Sequence, residues 1–95
     1  MNLNELYAII LDRKVNPKSG SYTCELFAKG EDEILKKVGE EAMEVILAAS
    51  RQSNSRLIEE TADLLYHLLV LLAARNLSLA EVEAELTRRH QPRPE

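Results

Sequence analysis

The run Glu31-Asp32-Glu33-Ile34-Leu35-Lys36-Lys37-Val38-Gly39-Glu40-Glu41-Ala42-Met43-Glu44-Val45-Ile46-Leu47-Ala48-Ala49 is answered by a second, Glu60-Thr61-Ala62-Asp63-Leu64-Leu65-Tyr66-His67-Leu68-Leu69-Val70-Leu71-Leu72-Ala73-Ala74. Between them lies the polar stretch Ser50-Arg51-Gln52-Ser53-Asn54-Ser55. Both runs repeat apolar residues at helical rather than strand spacing and are built from good helix formers. The reading is two long helices, from near Glu31 to about Ala49 and from about Ser55 to Ala74 or Arg75, joined by a turn. The acids Glu31, Asp32 and Glu33 suit the positive end of the first.

Outward from this pair the rest also reads as helix. Asn2 followed by Glu5 resembles a capping box and predicts a helix from Leu3 to about Asp12. A polar loop follows, with a break at Pro17 and a turn at Gly20. Ser21 to Lys29 reads as a short helical turn that Gly30 ends. Asn76 suits a helix C-cap, and Ser78 with Glu81 starts a last helix reaching about Arg89. Residues 90–95 read as a frayed tail. The expected fold is one all-α domain over 1–95, an antiparallel bundle of four main helices. The segment Leu64–Ala74 is apolar nearly all round, more than one small chain covers, so the bundle is expected to be completed by homodimerisation.

Composition narrows the functions. The 95 residues carry 12 basic and 16 acidic side chains, a net charge of −4, which disfavours nucleic acid as a partner. Three separated glycines leave no glycine-rich phosphate loop, and one cysteine allows no internal disulfide. The start of the chain has no secretory pattern, and the longest apolar run, 11 residues, is too short to span a membrane. A cytoplasmic protein is expected.

The chemistry lies in the acids. Glu41 with Glu44, and Glu60 with Asp63, are i, i+3 pairs on single helix faces. Val38, Glu41, Val45 and Ala48 share one stripe; Glu60, Asp63, His67, Leu71 and Ala74 share another. The midpoints of the two pairs flank Gln52 symmetrically, so an antiparallel hairpin brings them to one height. Four carboxylates in one seam repel unless a cation joins them. Oxygen donors alone suit Mg²⁺, with Mn²⁺ possible, and such ions hold substrate phosphates and activate water.

Other residues admit two readings. Lys37 lies on the side of Glu41 and Glu44, able to meet a phosphate or simply to pair with Glu41. Arg13, Lys14, Lys18 and Lys29, with Ser21, Tyr22 and Thr23, form a basic, hydroxyl-rich set suited to a polyphosphate or merely to solvent. His67 is a donor to the site, a ligand, or a satisfied histidine in the seam. Tyr66 reads as core or dimer contact, Cys24 as a small buried residue, and Gly39 as a point of close helix approach. A di-iron bundle needs Glu-x-x-His, which these helices lack.

The motifs Glu40-Glu41-Ala42-Met43-Glu44 and Glu60-Thr61-Ala62-Asp63 match the pattern E-E-x-x-E followed by E-x-x-D. With Ser21-Tyr22-Thr23, Leu26, Lys37-Val38-Gly39 and Leu64-Leu65-Tyr66-His67, the chain resembles the phosphoribosyl-ATP pyrophosphohydrolases of histidine biosynthesis. These fall within the all-α nucleoside triphosphate pyrophosphatases that include the MazG proteins and dimeric dUTPases. The resemblance runs from about Leu3 to Ala80. It implies hydrolysis of phosphoribosyl-ATP between its α and β phosphates, yielding pyrophosphate and phosphoribosyl-AMP. It also implies Mg²⁺ held by Glu41, Glu44, Glu60 and Asp63, with one of them, or Glu40, orienting the water. Lys37, Arg13, Ser21, Tyr22 and Thr23 would meet the substrate. The chain lacks room for the cyclohydrolase fused to many relatives, so a stand-alone form is implied. A house-cleaning pyrophosphatase for nucleoside triphosphates, or a helical interaction module without catalysis, are the competing classes.

Overall fold

The computed structural model describes residues 1–92; the end of the expected frayed tail, residues 93–95, lies outside them. Helices α1 (Leu3–Val15), α2 (Tyr22–Lys29), α3 (Glu31–Arg51), α4 (Asn54–Ala74) and α5 (Leu79–Arg89) are the regular elements among the described residues, and no strand occurs there. The all-helical class is as expected. The count differs from four because Ser21–Lys29 forms a true helix. The Ser21 side chain accepts a hydrogen bond from the Cys24 backbone N–H, and Gly30 closes the helix at φ +96°, a conformation that favours glycine.

Two boundaries also move. Helix α1 runs one turn past Asp12 because Asn16 bonds back to Asp12 through its backbone N–H (2.7 Å) and its side-chain amide (2.9 Å); Pro17 then stops it. The α3–α4 turn shrinks to Gln52 and Ser53, since the Ser53 side chain, not Ser55, caps α4. At the far end of α4, Asn76 takes φ +58°, and bonds from Asn76 N–H to the Ala73 carbonyl and from Leu77 N–H to the Leu72 carbonyl make a Schellman turn. Ser78 and Glu81 form the full capping box expected for α5.

Helices α3 and α4 run antiparallel. Glu31 at the start of α3 pairs with Arg75 at the end of α4, while Glu41 in mid-α3 meets Glu60 and Asp63 further back along α4. A core of Tyr7, Ile10, Leu26, Ile34, Leu69 and Val70, with Ala73, ties α1 and α2 onto this hairpin. The Tyr7 hydroxyl donates to the Leu77 carbonyl, and the Lys14 ammonium donates to the Ala73 carbonyl and the Asn76 side chain, both at 2.7 Å. These bonds tie α1 to the end of α4 and the turn that follows it.

The molecule is long for its size. Its radius of gyration is 15.4 Å, against about 12 Å for a compact domain of this length. Helix α5 has no buried residue. Between α5, α4 and the start of α1 opens a cavity of about 380 Å³ walled by Leu3, Leu65, Leu68, Val82 and Leu86. No helix among the described residues is long and apolar enough to cross a membrane.

Gly39 is not a point of close helix approach: a Cβ placed there would meet nothing within 4 Å. With helical backbone and open space, Gly39→Ala should stabilise the isolated chain by about 0.5–1 kcal/mol, read as a higher midpoint in urea unfolding with an unchanged slope.

Candidate metal centre

Glu41 on α3 and Glu60 and Asp63 on α4 each offer a carboxylate oxygen, and the three oxygens lie within 4.8 Å of one another. The hairpin register produces this. Glu41 sits at the margin of the apolar stripe of α3, and Glu60 and Asp63 are one turn apart on the α4 face that packs against it. Their surroundings differ. Glu60 is 6% exposed, Glu41 is half-buried, and Asp63 is open to solvent. Asp63 thus joins the group from the solvent-exposed edge of the seam.

Electrostatics shows the crowding. Burial first, and then the charges of Asp63 and Glu60, raise the Glu41 pKa above the usual carboxylate range; His67 and Lys37 only partly offset this. The Lys37 ammonium lies 4.0 Å from Glu41 and 3.4 Å from Glu40. Burial works against its charge, but Tyr22, Glu40 and Glu41 outweigh that and raise its pKa. Arg56, which the sequence analysis passed over, bridges Glu59 and Glu60 with separate guanidinium nitrogens. Its i, i+4 spacing to Glu60 was the available signal. Arg56 compensates one carboxylate of three. The remaining charge, on oxygen atoms alone and in reach of one point, fits a hard divalent cation such as Mg²⁺.

The other expected site residues divide. Glu44 is half-buried one turn beyond Glu41 and does not join the group of three. Glu40 is exposed and faces Lys36 and Lys37. Tyr22 reaches the centre: its hydroxyl lies 3.0 Å from His67 Nε2. Thr23 is buried and shares a hydrogen bond with the Tyr66 hydroxyl, while the Ser21 side chain is spent on capping α2. Arg13 bonds to Asp12 and lines a different cavity, of about 410 Å³, with Lys14, Pro17, Cys24 and Phe27; none of the three carboxylates borders it. His67 is buried with both ring nitrogens engaged inside the chain, as a satisfied histidine in the seam.

A helical hairpin that gathers carboxylates beside a lysine defines an all-α protein with an acidic centre of the kind that takes a metal and a phosphorylated ligand. Comparison with known proteins narrows this further. Residues 3–90 match the family model described as phosphoribosyl-ATP pyrophosphohydrolase. A phosphoribosyl-ATP pyrophosphatase of Listeria welshimeri is 62% identical over 87 residues, covering 92% of this chain and 84% of that protein. One from Pelotomaculum thermopropionicum is 53% identical, covering 94% and 91%. A histidine biosynthesis bifunctional protein HisIE of Caldanaerobacter subterraneus is 52% identical over 89 residues, 43% of its length. The chain belongs to the phosphoribosyl-ATP pyrophosphohydrolase family.

The raised pKa of Glu41 has a stability consequence. The folded, metal-free chain binds the Glu41 proton more tightly than the unfolded chain does, so it loses stability as pH rises through the carboxylate range. Glu41→Gln removes the charge that causes this. At neutral pH without metal it should raise the melting temperature by roughly 2–5 °C, a gain that shrinks on acidification. Thermal scans with chelator at several pH values check this.

Proposed function

We propose that this protein hydrolyses phosphoribosyl-ATP to phosphoribosyl-AMP and pyrophosphate, a step of histidine biosynthesis in the cytoplasm, with Mg²⁺ as the required ion and Mn²⁺ as a substitute. The observation that carries the reading is the convergence of Glu41, Glu60 and Asp63 in a chain of this family. Names of relatives supply the substrate; the three oxygens supply a reason for the chemistry.

In this reading Glu41, Glu60 and Asp63 hold the ion, with Glu44 one turn along α3 as the fourth carboxylate of the set. An ion held there would supply neutralisation of charge on the triphosphate and on the departing pyrophosphate. One of these acids, or Glu40 beside Glu41, would orient the attacking water. Glu40 lies between Lys36 and Lys37 and steadies Lys37, whose ammonium meets the phosphates. Ser21 caps α2 and Thr23 anchors it to Tyr66, so together they place Tyr22 at the substrate's side of the centre. Arg13 serves an outlying part of the substrate, reached from the second cavity.

The active form in this proposal is a homodimer, giving a helical bundle built from both chains. Ile58 on α4 is 71% exposed, and Leu65, Leu68, Val82 and Leu86 line an open apolar cavity. Burying such surface contributes roughly 25 cal/mol per Å², and one copy leaves it in water. Leu65→Glu should shift the protein toward monomer in sedimentation velocity; an unchanged sedimentation coefficient in a single-chain range for both proteins would refute the dimer.

The function is tested with purified protein, Mg²⁺, phosphoribosyl-ATP and a panel of nucleoside triphosphates. Expected are pyrophosphate release from phosphoribosyl-ATP, its loss with chelator, and a drop of about 100-fold or more in kcat/KM for Asp63→Ala and Glu44→Ala, equivalent to about 2.7 kcal/mol of barrier. Turnover of the other nucleotides alone would point to a house-cleaning pyrophosphatase. Undiminished hydrolysis in both variants would mean that the acids carry no catalysis.

A further inference from the structure

His67 sits on α4 one turn beyond Asp63, buried, between two partners of opposite character. Its Nδ1 lies 2.7 Å from the backbone carbonyl of Asp63, and its Nε2 lies 3.0 Å from the Tyr22 hydroxyl. A carbonyl only accepts, so Nδ1 must carry the ring proton. The neutral ring then presents Nε2 as a bare acceptor, and the phenol of Tyr22 must donate to it. Aromatic packing holds this arrangement. The Tyr22 ring stands edge-on to His67 at 5.8 Å and stacks on Tyr66 at 6.2 Å, while Tyr66 stands edge-on to His67 at 5.0 Å.

The direction of that bond decides what Tyr22 can do. With its only proton committed to His67, its oxygen offers lone pairs alone to any further group. Burial first, with Tyr66, Glu41 and Glu33 adding and Lys37 opposing, raises the Tyr22 pKa, which keeps that proton in place. The oxygens of a polyphosphate are acceptors and gain nothing from such a group. We propose that His67 is a positioning residue that accepts the hydrogen bond of the Tyr22 hydroxyl, so that the Tyr22 oxygen receives an O–H donor, either a sugar hydroxyl of the nucleotide or the attacking water, rather than a phosphate. The proposal rests on the hydrolytic reading of the carboxylate centre and deepens it. It narrows the role of Tyr22 and leaves the phosphates to Lys37.

Three measurements test it. Nitrogen-15 NMR of the metal-free protein at alkaline pH, where the ring is neutral, should show His67 protonated at Nδ1; an Nε2–H ring overturns the proposal. With Mg²⁺ present, Tyr22→Phe should leave the inhibition constant of inorganic tripolyphosphate within about twofold of the unaltered protein. The same variant should change catalysis about 5–10-fold, the scale of one lost hydrogen bond. A rise in KM with kcat unchanged assigns the donor to a sugar hydroxyl, and a fall in kcat with KM unchanged assigns it to water. Weakened tripolyphosphate binding, or unaltered catalysis, overturns the proposal. Finally, His67→Gln, whose amide oxygen can replace Nε2 as acceptor, should outperform His67→Leu and approach the unaltered protein, whereas equal loss in both overturns it. Asp63→Asn is assayed alongside: full activity there would overturn the hydrolytic reading itself, a result separate from any seen at Tyr22 or His67.

Discussion

Repulsion among three carboxylates is the constraint around which this molecule is organised. Glu41, Glu60 and Asp63 come from two helices and meet within 4.8 Å, an arrangement that no gain in packing explains. An i, i+3 acid pair on one surface helix is solvated and costs little. In a helix seam, where Glu60 is nearly closed off from water, burial and the charges of Asp63 and Glu60 raise the proton affinity of Glu41. The remaining structure serves to hold them there. The apolar core further along α4 helps fix its rotation, and the Glu31–Arg75 pair helps set the register against α3.

Charge is matched locally rather than globally. The chain is acidic overall, yet Lys37 and Arg56 stand at the cluster, one on each helix of the hairpin. Neither neutralises it. Arg56 engages the buried Glu60, where an unpaired charge would cost most. Lys37 stays about a quarter exposed near Glu40 and Glu41, close enough to influence Glu41 and free enough to meet a ligand. What is left is a concentrated, oxygen-only negative centre with a cation at its edge, a fitting place for a divalent ion and a triphosphate.

Helix α2 packs beside that centre and brings Tyr22 to His67 of α4. Its eight residues read in the sequence as a passing turn, because so short a segment carries little periodic signal. In the fold it is capped by Ser21, ended by Gly30, and pinned to α4 through Thr23 with Tyr66 and Tyr22 with His67. The Ser21-Tyr22-Thr23 triplet stood out in the sequence as a hydroxyl-rich set. Its division of labour was not, since capping, anchoring and facing the site depend on which way each side chain leaves the backbone. Arg13, singled out by charge alone, ended beside Cys24 and Phe27 because α1 runs one turn further than its apolar pattern suggests.

The two long helices and the meeting of Glu41 with Glu60 and Asp63 followed from the sequence alone, because helical periodicity and the symmetry of a hairpin about its turn are local properties, expressed within a few residues. That Gln52 stands midway between the pairs was enough to bring Glu41 level with Glu60 and Asp63. Tertiary structure decided which acids actually touch, that Asp63 is open while Glu60 is buried, that Arg56 belongs to the centre, and that His67 turns its Nε2 to Tyr22. Those outcomes depend on how far each helix rolls about its axis. That roll is set by the whole packed core at once, and no stretch of a few residues encodes it.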